Sequence, residues 1–427
     1  MNDTPPTLFG FRLRTLAVAA ALVLVPVAAL GLDLANKGRV YTALWNVTGE
    51  TPSHKQILGF GQYLMRYTRV QPDTQPYARI DNADVNPFGV NTFLEQEVEP
   101  AKRERQLQMI AEAGFHWIRQ QFPWSDIETS RKGDFVDRRN DPNGISAWAK
   151  YDNIVDLAEK YRVQIIARLG VPPAWSQPPG TGGFTPPANL QDFVDYAVAV
   201  ASRYQGRITH YQVWNEPNLY PEWGEQTVNA EAYTEMLCRT YTALKAVDPQ
   251  IVVITGALGP TIDLSGRNAY DLLYLQRMYQ AGAGACFDVL SVQGYGLWSG
   301  PTDRRLRQTT VNFQRHLWIR DMMVANGDAH KPIWISEAGW NPVPDDPSIA
   351  EADRYGRVTM AQAAEWAPLT YARAIKEWPW IGVISYWYFK PADEHNKGDS
   401  SYYFRMVEPD FTPTPIYEAL KAYITGE

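Results

Sequence analysis

Ile208–Tyr220 reads ITHYQVWNEPNLY, a short apolar run that stops abruptly at Asn215, Glu216 and Pro217. The run predicts a buried strand, and Pro217, which has no backbone N–H to give to a ladder, limits it. A carboxylate at that junction stands at the carboxyl end of a strand, where an α/β barrel keeps its active-site chemistry. Lys331–Pro342, KPIWISEAGWNP, has the same grammar: an apolar strand, then Glu337, then a Gly-Trp-Asn-Pro turn. Two strand-end glutamates form the minimal apparatus for breaking a glycosidic bond. One protonates the leaving oxygen, and the other attacks the sugar or activates water.

Six further β-rich runs share this context. From Val85 onward the chain alternates short strands with helical segments, the pattern of repeated βα units around a parallel sheet. The expected strands are Gly89–Leu94, His116–Phe122, Gln164–Leu169, Thr209–Asn215, Ile251–Thr255, Val289–Gln293, Ile333–Glu337 and Gly382–Tyr388. Helical periodicity falls between them at Ala101–Ala113, Trp148–Tyr161, Leu190–Tyr204, Ala230–Ala246, Ala269–Ala281, Thr309–Asn326 and Ala352–Lys376, with a last helix at Pro415–Ile424. The expected architecture is a (β/α)8 TIM barrel over residues 85–427.

Ahead of the barrel, residues 1–14 are polar and include Arg12 and Arg14, and Thr15–Leu32 carries no charge. Residues 1–32 read as a signal peptide or a membrane anchor. The basic residues before the apolar run favour an uncleaved anchor with a cytoplasmic amino terminus. Either alternative delivers the rest of the chain outside the cytoplasm. Residues 33–84 contain one helically spaced stretch, His54–Val70, followed by a Pro-, Asp- and Asn-rich loop. They form either a stalk or a plug under the barrel. Asn46-Val-Thr48 is a formal glycosylation sequon and no more.

Composition narrows the classes. The chain is 45% hydrophobic and 20% charged, ordinary for a globular protein with a large core. A net charge of −7 supplies no electrostatic footprint for nucleic acid. Cys238 and Cys286 either pair or stay buried as thiols. The six histidines are scattered, His116 and His210 fall at strand beginnings, and no metal or cofactor is expected.

The strand ends should converge on one cleft. Strand two brings Arg119 and Trp124; strand three, Arg168 and a loop with Trp175; strand four, Asn215 and Glu216; strand six, Gln293 and Tyr295; strand seven, Glu337 and Trp340; strand eight, Trp387. WNEPN at strand four, SEAGW at strand seven, an Arg on strand two and a Trp on strand eight resemble the retaining glycoside hydrolases of clan A. The run FGVN…AEAGFHWIRQQFPWSDIE looks most like family 39. The resemblance covers roughly residues 86–423 and departs at Gln293, where many clan relatives carry His. It implies Glu216 as acid/base and Glu337 as nucleophile, with Arg119 and Tyr295 keeping Glu337 ionised and Asn215 holding the sugar hydroxyl next to the anomeric carbon. Trp124, Trp175, Trp340 and Trp387 are candidate sugar platforms. The expected substrate is an extracytoplasmic polysaccharide or oligosaccharide, cut by double displacement and endo-wise if the Trp- and Pro-rich loops leave the groove open. A catalytically idle glycan-binding barrel is the alternative from another class.

Overall fold

The computed structural model describes residues 8–427. Residues 1–7 of the expected amino-terminal segment lie outside it, and the side chains of Arg12 and Arg14 are likewise not among the described features. The chain divides into two compact units: Met1–Val70 with Thr302–Arg305, and Gln71–Pro301 with Leu306–Glu427.

The first unit is helical. Helix α1, Leu8–Ala35, contains the apolar span Thr15–Ala35, with a mean hydropathy of 2.4 and no buried side chain in its most apolar window. In its last turn lies Asp33, whose carboxylate accepts from the Tyr41 amide at 3.0 Å and whose carbonyl accepts from Gly38 at 2.7 Å. This tight turn launches α2, Arg39–Thr48, which Gly49 stops in the left-handed region. Helix α3, Ser53–Leu64, follows, with Gln56 buried and donating to the Glu50 carbonyl at 2.9 Å. Thr302–Arg305 belong to this unit through Thr302 Oγ1 to the Trp45 carbonyl at 2.9 Å and an Arg305–Glu50 ion pair at 2.8 Å.

The second unit is the barrel. Its strands are β1 Phe88–Thr92, β2 Trp117–Pro123, β3 Gln164–Gly170, β4 His210–Val213, β5 Val252–Thr255, β6 Leu290–Gln293, β7 Ile333–Ala338 and β8 Ile381–Tyr386. All neighbours pair in parallel in the order β5-β4-β3-β2-β1-β8-β7-β6. The bridges Ile254↔Val289 and Leu258↔Val292 join the two ends. Continuous apolar runs such as QIIARLG make such strands, because a parallel sheet covered by helices is buried on both faces. The eight expected strands are all present, each within three residues of its expected bounds.

Around the strands run α4 Pro100–Glu112, α5 Ala149–Lys160, α6 Leu190–Arg203, α7 Ala230–Val247, α8 Asp271–Gln280, α9 His316–Ala325, α10 Met360–Glu377 and α11 Pro415–Thr425. Two of these start later than periodicity predicts. Thr309–Asn312 stay extended or turned, held by Arg315, which donates to the carbonyls of Gln308 and Thr310 at 2.7 and 3.0 Å. Residues 352–359 are interrupted by Gly356 at φ 76°, and α10 begins only at Met360, behind the N-cap Thr359, with which Gln362 completes a capping box. Cys238 and Cys286 are disulfide-bonded.

The amino-terminal end of the barrel is closed by aromatic residues. Trp117, Ile166, Ile254, Val289, Trp334 and Val383 form a core cluster there. The indoles of Trp334 and Trp117 each donate at 2.9 Å, to the carbonyls of Asn82 and Asn86. Residues 82–86 thus lie under the barrel as a plug. Gly382 permits this approach, since a Cβ there would collide with the Trp334 indole. His116 and His210 line a depression of about 410 Å³ at this end, and burial lowers the His210 pKa to about 4. This depression is therefore at the end remote from the two strand-end glutamates.

Candidate active site

Glu216 is delivered by an irregular turn. Trp214 has φ 76° and Glu216 φ 34°, left-handed values that non-glycine residues hold only when surrounding contacts enforce them. Those contacts are present. The Trp214 indole donates to the Glu222 carbonyl at 2.8 Å. Asn218 and Gly259 exchange two hydrogen bonds, both 2.8 Å, tying the turn to the loop after β5. A Cβ at Gly259 would lie 2.6 Å from Leu219 and 3.0 Å from the Glu216 carboxylate, so glycine is what lets the carboxylate lie against that loop.

Glu337 ends β7 in different company. Arg119 Nη1 donates to its Oε1 at 2.8 Å, and the Tyr295 hydroxyl donates to its Oε2 at 2.8 Å. Arg119, only 2% exposed, is a hub. Its Nε donates to Gln212 at 2.6 Å, Nη1 also to Asn91 at 2.9 Å, and Nη2 to Asn215 at 2.7 Å. Gln212 in turn donates to the Thr255 carbonyl at 3.0 Å, Ser291 at 3.1 Å and Ser336 at 2.8 Å. Asn91 donates to the Ser336 carbonyl at 2.8 Å. Side chains from β1, β4, β6 and β7 therefore hold one buried guanidinium from β2 in a single orientation. Burial lowers the Arg119 pKa, to about 10, while Glu337 opposes the shift.

The proton affinity of Glu216 is pushed the other way. Burial raises its pKa well above the ordinary carboxyl value, and the nearby charges of Glu337 and Glu222 add to the rise; Gln293 and Arg119 oppose it. Gln293 is buried, and neither amide atom meets strict hydrogen-bond geometry despite its position beside Glu216.

The cleft holds more ionisable groups than the strand-end grammar reveals. Glu222, in the loop after β4, has a raised pKa from burial, countered by Arg168 and Asn215. Arg168, Asn215, Trp214 and Glu222 line one small pocket. Glu95, after β1, accepts from Gln120 at 2.5 Å, and burial raises its pKa to about 7. Asn91, Gln212, Glu222 and Glu95 were not among the residues expected at the site; Asn91 and Gln212 are ordinary polar strand residues whose partner Arg119 comes from another strand. Among the described residues no cluster of His, Cys, Asp or Glu could hold a metal ion. Asp288 sits at the amino end of β6 and pairs with Lys245 at 2.8 Å.

The four tryptophans divide. Trp124 and Trp340 are 0% exposed and correct the expectation that they offer sugar platforms. Trp124 donates to Glu128 at 2.6 Å and stacks on Tyr196 with centroids 5.4 Å apart. Trp340 donates to the Ser299 carbonyl at 2.8 Å between Phe313 and Trp366. Neither ring keeps a face for a ligand. Trp175 is half-buried, anchored to the Glu128 carbonyl at 2.8 Å and edge-on to Trp124. Trp387 is half-buried, edge-on to Phe93 at 5.3 Å. Trp298, three residues past Tyr295, is 52% exposed and was not singled out by the sequence; its one signal was its place in the loop after a strand-end tyrosine.

With this geometry in place, the similarities are informative. The family model for cellulase (glycosyl hydrolase family 5) matches residues 78–305, a span that includes Glu216 and stops before Glu337. Similar solved structures include a family 39 glycoside hydrolase from Bacteroides cellulosilyticus WH2, with TM-score 0.59 and 18% identity over 83% of this chain and 66% of that one. GH5_18 from Streptomyces cattleya has TM-score 0.56 and 16% identity, with 80% of each chain covered. A monomeric β-xylosidase from Caulobacter crescentus CB15 has TM-score 0.52 and 18% identity, covering 82% of this chain and 68% of that one. At these identities the likeness is one of fold. The family 39 resemblance read from the sequence thus reappears among the fold neighbours, while the matching family model is that of family 5. No curated protein sequence matches.

Proposed function

The chain belongs to the cellulase family, glycosyl hydrolase family 5, and from that premise we propose a retaining glycosidase in which Glu337 is the nucleophile and Glu216 the acid/base. The observation that carries this reading is the opposed setting of the two carboxyls. Glu337 accepts from the Arg119 guanidinium and the Tyr295 hydroxyl, and Glu216 is driven toward its protonated form by burial and like charge. In the first step Glu337 attacks the anomeric carbon while Glu216 gives its proton to the departing glycosidic oxygen. In the second, Glu216, now a carboxylate, takes a proton from water as the water oxygen displaces Glu337 from that carbon. Asn215 accepts from Arg119 through Oδ1, which leaves its amide nitrogen to donate, to Glu222 and, in the proposed complex, to the sugar hydroxyl beside the anomeric carbon. Trp387 and Trp175 form aromatic walls.

The proposed substrate is an extracytoplasmic polysaccharide or oligosaccharide. Two independent features support that location. Helix α1 has the length and composition of a bilayer anchor or signal segment, and a Cys238–Cys286 disulfide persists in an oxidising compartment. A 2-deoxy-2-fluoro glycoside of an accepted sugar, carrying a good leaving group, tests the mechanism. The expected product is a covalent adduct on the peptide containing Glu337, with NMR of a normal substrate showing retained anomeric configuration. Labelling of another peptide, or inversion, overturns the assignment.

A further inference from the structure

In the first unit, α3 buries Gln56 and Gly59 against its own neighbours. The opposite face presents Ile57, Leu58, Gly61 and Leu64 and continues into Met65, a spacing that puts all five on one side of a helix. The four apolar side chains are 54%, 68%, 49% and 52% exposed, an unusual concentration for a surface helix. Tyr67, 70% exposed, extends this face past the helix end. The face is not alone. In the same compact unit α1 exposes an entire apolar span, and the Asp33–Gly38 turn starts α2 four residues after α1 ends. The unit is also reversed in charge relative to the chain. Residues 33–70 hold Lys37, Arg39, Lys55, Arg66 and Arg69 against Asp33 and Glu50, in a protein whose net charge is −7.

We propose that α3 is an interfacial membrane-docking helix, its Ile57, Leu58, Leu64 and Met65 face embedded at the headgroup–acyl boundary of an anionic bilayer. An apolar helical face beside a basic set of side chains is the composition that binds such a surface, the apolar area and the attraction to anionic headgroups acting together. A transmembrane helix that ends one tight turn before this hairpin delivers it to the boundary without a separate encounter. Tyr67 suits the same depth, where rings with one polar end concentrate. The inference rests on α1 being a retained span.

The full-length protein, reconstituted in vesicles of phosphatidylethanolamine and phosphatidylglycerol, tests it by site-directed spin labelling. The two native cysteines are bonded to each other, so a single introduced cysteine takes the label. Labels at Leu58→Cys and Leu64→Cys are expected to collide more with oxygen than with a water-soluble nickel reagent. A label at Lys55→Cys is expected to favour the nickel reagent. Nickel-rich collision at Leu58 and Leu64 overturns the proposal by showing the face in water. Low collision with both reagents overturns it by showing a protein surface there, whether a second copy or another part of the chain. A control label at Leu22→Cys, within α1, separates the two readings: oxygen-rich collision at Leu22 with a wet Leu58 rejects docking and keeps the anchor, whereas a wet Leu22 rejects the anchor itself.

Discussion

Strands β4 and β7 end alike, in an apolar run, a glutamate and a proline-limited turn, yet they deliver their carboxyls into opposed surroundings. Glu337 meets a guanidinium and a phenol hydroxyl, each at 2.8 Å. Glu216 is set against the loop after β5, beside Gln293 and within the field of two other carboxylates. The difference comes largely from other segments. Arg119 comes from β2, Tyr295 from the loop after β6, and the restraint on the Glu216 turn from Asn218 and Gly259. The charge state of a strand-end carboxyl is thus a property of the converging strands rather than of the motif that carries it.

The largest expected effect comes from removing the proposed nucleophile. Glu337→Gln should lower kcat by about 10^5-fold, as loss of a nucleophile acting within a concerted unit does. It should also destabilise the fold by about 3 kcal/mol, because Arg119 would be left buried without its counter-ion. Steady-state kinetics and denaturant titration measure the two separately. Next in size is Glu216→Gln, with about a 10^3-fold loss on glycosides with poor leaving groups and a much smaller loss on aryl glycosides whose leaving group needs no proton. The sign of the pH dependence follows from the raised pKa: an acid that must hold its proton loses activity as pH rises through that pKa. The alkaline limb of kcat/KM should therefore vanish in the variant.

Tyr295→Phe removes one hydrogen bond to the nucleophile and should cost about 1.4 kcal/mol, or about tenfold in kcat. The subtlest change sharpens the comparison. Glu222→Gln takes away one of the charges that raise the Glu216 pKa, so the alkaline limb should move to lower pH, with kcat at the optimum little changed. A limb that stays in place would mean that Glu222 does not act on Glu216.

Much of this was legible in the chain. The eight strands announced themselves as apolar runs bounded by turn residues, and Glu216, Glu337, Arg119 and Tyr295 stood at their carboxyl ends, where the structure brings them together. The residues that hold them were not legible. Asn91 and Gln212 matter because they meet Arg119, a contact across 28 and 93 positions that no local pattern records. Trp124 and Trp340 show the converse limit. A tryptophan just past a strand reads the same whether its ring turns to the cleft or back into the helical layer, and Tyr196 and Trp366, which receive those rings, lie in distant helices. The late starts of α9 and α10 were set by an arginine bonding backbone carbonyls and by a capping box, local chemistry that hydrophobic periodicity does not weigh.

The protonation of Glu216 in the resting protein is the quantity on which the comparison turns. Infrared difference spectroscopy of the wild type against Glu216→Gln at neutral pH reads it directly. The expected result is a protonated-carboxyl carbonyl band in the wild type that disappears in the variant and titrates away only on the alkaline side. A difference spectrum that instead shows the loss of a carboxylate band at neutral pH would contradict the assignment of Glu216 as the proton donor.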